Sequence, residues 1–209
     1  PGALAGSLAS LTPFLVVPLV AGAVLGWQVN EGYQGPAAKK ANLDYWRKNI
    51  QTWKDAPVPA LAGVDLDVRF DPPKHAFTMR GSYVVENRTD RPLARFPVTA
   101  NTRWKQLAWT IDAKPCSVES RAGLVIVTPA QPLAPGETLR LGFAYDGRHP
   151  DGISKNGGYG MEFITPSSIV LTGFGGATFV PAIGFFPDEA IEEGKNNSDP
   201  REWPENWWQ

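Results

Sequence analysis

The chain has 209 residues, with 20 Lys and Arg against 21 Asp and Glu and a formal net charge of -1. That balance gives no electrostatic case for a nucleic-acid partner, and a single cysteine, Cys116, excludes an internal disulfide framework. Gly and Pro are abundant but fall between alternating apolar segments, the composition of an all-β domain with many turns.

Residues 3–29 contain nothing ionisable, and Glu31 is the first charge. At about 1.5 Å per helical residue, this run is long enough to cross a hydrocarbon core of about 30 Å with some tilt. It predicts a transmembrane helix over 1–30. Pro13 and Pro18 would kink it, as membrane helices packed among other spans tolerate. A signal peptide is the rival reading, since Ala21-Gly22-Ala23 has the spacing of a cleavage site. Against that, the run is long for an h-region and has no basic n-region. Because the first residue is Pro, the chain is expected to be cut from something larger.

Residues 31–57 form a juxtamembrane segment. A break over 32–36 leads into a predicted amphipathic helix over 37–54, with Leu43, Trp46, Ile50 and Trp53 on one face and Lys39, Lys40, Arg47 and Lys48 elsewhere. It stops before Pro57 and Pro59. Its Trp face can dock on the following domain or lie at a bilayer interface.

Residues 58–187 are expected to be a β domain. Val64, Leu66, Val68 and Phe70 alternate with Asp65, Asp67, Arg69 and Asp71 in a strand over 64–71. Asp71-Pro72-Pro73-Lys74 is turn chemistry. The returning strand, 77–86, places Phe77, Met79, Tyr83 and Val85 on one face. Further strands are predicted over 93–99, 106–111, 124–128 and 138–145, where Leu139, Leu141, Phe143 and Tyr145 alternate. Short strands are expected over 169–172 and 177–180. The fold class is mainly β: an antiparallel two-sheet sandwich or saddle, preceded by the transmembrane helix and the short amphipathic helix. Residues 188–209 form an acidic tail with Trp203, Trp207 and Trp208, expected to lie against protein further along the chain.

Residues able to do chemistry are few. His75 and His149 lack partners at ligand spacing and read as solvated loop residues. Asp65, Asp67 and Asp71 lie on the outer face of a strand, where a solvated sheet face is the expected role. The Gly-rich runs 156–160 and 173–176 lead into no helix and read as tight turns. Cys116 follows Pro115 with no cation beside it, so a half-buried thiol is expected rather than a thiolate. No residue is expected to be catalytic, to bind a cofactor or to ligate a metal.

Several pieces in this order carry a resemblance. Val64-Asp65-Leu66-Asp67-Val68-Arg69-Phe70 is followed by Asp71-Pro72 and by Met79-Arg80-Gly81-Ser82-Tyr83-Val84-Val85-Glu86-Asn87. Asp90-Arg91-Pro92-Leu93 and Leu133-Ala134-Pro135-Gly136-Glu137 come next. Last comes Thr178-Phe179-Val180-Pro181-Ala182-Ile183-Gly184-Phe185. Over about 40–187 the chain resembles the N-terminal β domain of the aminopeptidase N family of zinc peptidases. It is most similar to a bacterial membrane form fused to ABC-transporter-type permease spans.

The resemblance implies a non-catalytic domain that walls a substrate cleft and supports a downstream zinc peptidase-like domain. That domain would hold the His-Glu-x-x-His zinc site and the exopeptidase Gly-x-Met-Glu-Asn loop. Gly160-Met161-Glu162-Phe163 echoes that loop only by coincidence, lacking the spacer and the Asn, so no active-site residue carries over and zinc is expected only downstream. The implied partners are the lipid bilayer, other transmembrane helices and the downstream domain, and the implied location is the bacterial inner membrane. Lys39, Lys40, Arg47 and Lys48 would favour a cytoplasmic flank. The resemblance instead places the β domain outside. An autonomous binding or scaffolding module on a transporter is the alternative.

Overall fold

The computed structural model describes residues 2–30, 35–102, 104–148, 163–171 and 179–187. His149, both Gly-rich runs and the tail 188–209 lie outside them, as does the echo at 160–163 apart from Phe163.

The apolar N-terminal run is helical, as α1 (Gly2–Asn30). Its expected role as a transmembrane helix needs correction. No helix among the described residues is long and apolar enough to cross a membrane. Prolines, glycines, Gln28 and Asn30 dilute the run's apolar content. The described apolar side chains of α1, Phe14, Val17, Leu19 and Leu25 among them, are exposed.

The rest is mainly β. One sheet has five strands in the order β1 (Ala60–Asp71), β2 (Ala76–Glu86), β8 (Thr138–Arg148), β4 (Lys105–Ile111) and β5 (Lys114–Pro115). A second has four, in the order β11 (Ala182–Ile183), β3 (Phe96–Thr99), β7 (Leu124–Val127) and β6 (Glu119–Arg121). β9 (Phe163–Ile164) and β10 (Ile169–Val170) make a two-stranded ribbon. Every pairing is antiparallel.

The alternation in β2 and β8 sets the core. Phe77, Met79, Tyr83 and Val85 lie on the same face as Leu139, Leu141, Phe143 and Tyr145, and all are buried. Two glycines make room for the rings. A Cβ on Gly147 would fall 2.1 Å from the Phe77 ring, and one on Gly81 would fall 2.4 Å from Phe143. From the second sheet, Phe96, Val98, Val125 and Val127 complete the core.

β7 is buried on both faces. Leu124 and Ile126 point away from the main core and meet Trp46, Ile50 and Trp53 of α2 (Pro36–Trp53) together with Phe185. Of the two roles open to the Trp face, docking is the one observed. The Trp46 Nε1–H donates to the Ala122 carbonyl at 2.7 Å, and its ring lies 4.7 Å from that of Phe185. The Arg95 guanidinium stands 5.0 Å from the Trp53 ring centroid. Pro36 at the first turn of α2 needs no backbone N–H there.

Several strand expectations shift. β1 begins at Ala60, with a bulge between Leu61 and Gly63. The strand expected over 93–99 shortens to β3, and Leu93 makes only an isolated bridge to Leu133. The expected strand over 169–172 reduces to β10. Phe179 and Val180 form a bend rather than the strand expected over 177–180, and ladder pairing starts only at Ala182. Tertiary contacts hold the segment there: the Phe179 ring packs on Phe77 at 5.2 Å, and the Pro181 carbonyl accepts the Tyr83 hydroxyl at 2.7 Å.

Asp112 and Ala113 join β4 to β5 with φ of 48° and 65°, a two-residue turn in the left-handed region. An L-residue there costs about 1 kcal/mol relative to glycine. Ala113→Gly should therefore stabilise the domain by about 1 kcal/mol in urea unfolding followed by circular dichroism; no change or a loss would contradict the turn. In the same assay Trp46→Ala should cost about 3–5 kcal/mol. Trp46→Phe, which keeps a ring against Phe185 and loses the donor, should cost about 1–2 kcal/mol.

Candidate functional site

The β1–β2 hairpin borders one of the concave surfaces of the domain. Asp71, Pro72, Pro73 and Lys74 turn the chain, and His75 closes the turn with φ of 52°. The expectation of a solvated His75 is corrected: its Nδ1 lies 2.7 Å from the Ile164 carbonyl, which pins the β9 segment to the hairpin. Lys74 Nζ lies 2.7 Å from half-buried Asp71 and is itself largely exposed, so that pair contributes little to stability.

Beside this turn is an open cleft of about 700 Å³ lined by Phe70, Phe77 and Trp104 and by charges of both signs, Arg69, Lys105 and Arg148 with Asp71 and Asp146. The Phe77 and Trp104 rings meet edge to face at 5.1 Å. Register explains the mixed charge: Lys105 pairs with Asp146 across β4–β8, and Arg148 sits opposite Ala76 across β2–β8. Aromatic walls with charges of both signs suit contact with a polypeptide surface better than capture of a bare anion or cation. A smaller hollow of about 250 Å³ lies between α2 and the sheets, lined by Asn42, Asn101, Gln106 and Ser120, among others; none of its lining residues is charged.

Asp65 and Asp67 are exposed and Asp71 half-buried. Arg69 approaches Asp67 at 3.5 Å. Among the described residues no three His, Cys, Asp or Glu side chains gather as a metal site. What the sequence did not reveal is that the apolar side of β1 is uncovered: Val64, Leu66 and Phe70 are exposed although they alternate as a core strand should. Trp104 went unnoticed because it lies just before β4, outside any periodic run.

No family model matches the chain, and no curated protein matches it. Among solved structures, the M1 zinc metallopeptidase from Deinococcus radiodurans is similar at 24% identity with a TM-score of 0.39, over 46% of this chain and 22% of that one. A mutant of the same enzyme bound to a Tyr-Ser-Ala substrate is similar at 24% identity and a TM-score of 0.39, over 44% and 21%. A two-domain M1 zinc metallopeptidase mutant bound to L-arginine is similar at 23% identity and a TM-score of 0.38, over 44% and 22%. The chain thus spans only about a fifth of the length of these peptidases.

Cys116 is half-buried against the core, and its amide N–H donates to the Trp109 carbonyl at 3.1 Å. Burial pushes its thiol pKa up, which disfavours thiolate at neutral pH. Alkylation by iodoacetamide should be slow at pH 7 and should rise along a curve whose midpoint lies above that of a free cysteine. A midpoint below the free-cysteine value would mark an activated thiol instead.

Proposed function

We propose that this chain is the non-catalytic extracytoplasmic β domain of a membrane-anchored aminopeptidase-like protein fused to an ABC-type permease. It shapes a substrate cleft and supports a downstream zinc peptidase-like domain. The observation that carries the reading is what the residues of the resemblance do: they are architectural. Asn87, fully buried, donates its amide to the Arg91 and Leu133 carbonyls at 2.8 and 2.7 Å and accepts from the Thr89 N–H at 3.0 Å. That joins the 90–93 and 133–137 segments. Pro181 anchors Tyr83, the Gly184 carbonyl accepts the Thr99 hydroxyl at 2.8 Å, and Phe185 seats Trp46. Residues spent on holding two sheets and a helix together fit a supporting domain. In this reading α1 supplies the membrane attachment, through its exposed apolar side chains.

A second reading, an autonomous binding module, draws on the aromatic cleft beside the hairpin. The parent reading frame separates the two. Continuation into a His-Glu-x-x-His helix supports the first, and immediate continuation into a membrane span supports the second.

Incubated with zinc and aminoacyl anilides, the chain should give no turnover, and metal-dependent hydrolysis would overturn the supporting role. In flotation with phospholipid vesicles the full chain should rise with lipid, and the chain lacking 1–30 should stay at the bottom of the gradient. A full chain that stays down removes α1 as the anchor.

A further inference from the structure

β1 is an edge strand. β2 covers one side, and among the described residues no strand pairs with the other. An edge of this kind presents a row of backbone donors and acceptors to any matching strand. We propose that the occupant is β1 of a second copy of this chain, paired antiparallel about a two-fold axis through Asp67, so that two five-stranded sheets join into one.

The length of the free edge fixes the axis. The bulge between Leu61 and Gly63 interrupts the strand at one end, and Pro72 stops it at the other. The uninterrupted stretch, 63–71, has Asp67 at its midpoint.

The side chains choose the same centre. With the axis at Asp67, Val64 faces Phe70 of the second copy and Leu66 faces its Val68. On the opposite face Asp65 meets its Arg69. The two-fold makes each of these contacts occur twice. Three of the four apolar residues so matched are open: Val64 is 54% exposed, Phe70 40% and Leu66 38%, while Val68 is half-buried. Neighbouring registers fail. Sliding to place the axis between residues sets every Asp against an apolar side chain. An axis at Leu66 sets Asp65 against Asp67 twice, and one at Val68 sets Asp65 against Asp71 twice; like charges directly opposed are unfavourable.

The chosen register leaves one like-charge pair, Asp67 with Asp67 of the second copy. Arg80 stands opposite Asp67 on the β2 side in each copy and offsets it. Among the described residues Arg69 is held by a 3.5 Å contact with Asp67, both groups being largely exposed. Turning it toward Asp65 of the second copy therefore costs little. The chain's own tail is a poor competitor for this edge, since 188–209 is acidic and β1 already carries Asp65, Asp67 and Asp71. The inference rests on β1 alone and stands or falls independently of the peptidase-like reading.

Register-specific crosslinking tests it in the full chain, purified in detergent with Cys116→Ala to remove the native thiol. At the axis, facing Cα atoms would be about 4.5–5.5 Å apart, within disulfide reach. Asp67→Cys should oxidise rapidly to a covalent dimer. Asp65→Cys alone, about 13 Å from its own copy, and Arg69→Cys alone should crosslink at least about tenfold more slowly. Mixing those two variants should restore the fast rate. Adding Val64→Lys to Asp67→Cys should slow its crosslinking severalfold. No crosslink at 67, or equal rates at 65, 67 and 69, would overturn the proposal. So would β1 amides protected from hydrogen exchange in a chain that sediments as a monomer, which would mean that another segment of the same chain covers the edge.

Discussion

Everything in this domain follows from a mismatch between two sheets. Three strands of 11 or 12 residues, β1, β2 and β8, dominate the five-stranded sheet, while no strand of the four-stranded sheet exceeds four residues. Burial of apolar surface needs both faces of a contact. Among the described residues the smaller sheet covers β2, β8 and β4 and reaches β1 only in part. Val68 is half-buried against the core, while Val64, Leu66 and Phe70 remain exposed.

The same shortness shapes the far side. A strand as brief as β7 is secured by burial on two faces, with Val125 and Val127 toward one core and Leu124 and Ile126 toward α2. The helix is thus a third layer rather than an appendage. Its Trp46 depends on Phe185, which the chain delivers only after Pro181, Ala182 and Ile183 have been tied to Tyr83 and β3. Residues far apart in sequence are energetically linked through this closing segment.

These dependencies bear on function. Buried Asn87, Tyr83 and Thr99 all hold backbone carbonyls of distant segments. Such groups specify one arrangement of loops, because breaking any of these bonds leaves a buried polar group unpaired. The free surfaces are elsewhere: an aromatic cleft at the hairpin, the margin of β1 and an exposed apolar helix. Aromatic and aliphatic side chains make up much of these surfaces, beside charges of both signs.

The sequence by itself determined the β class, the buried faces of β2 and β8, and the amphipathic α2, because each depends on a periodicity carried within one segment. It also showed the turn at 71–74, where Asp and two prolines act locally. It could not decide whether the apolar side of β1 was covered, since alternation marks a face but not what lies above it. Of the two-residue strands, β10 was expected within 169–172, whereas β5, β9 and β11 escaped notice because so short a segment has no period, and β11 exists only where β3 accepts it. His75 became a pin for Ile164 rather than a solvated side chain, through a contact spanning 89 positions. The N-terminal run gave a helix from its composition, while the structure left apolar side chains of its second half, from Phe14 to Val29, exposed. Local order is written in neighbouring residues, whereas coverage of a face depends on which distant segments reach it, and only the assembled chain settles that.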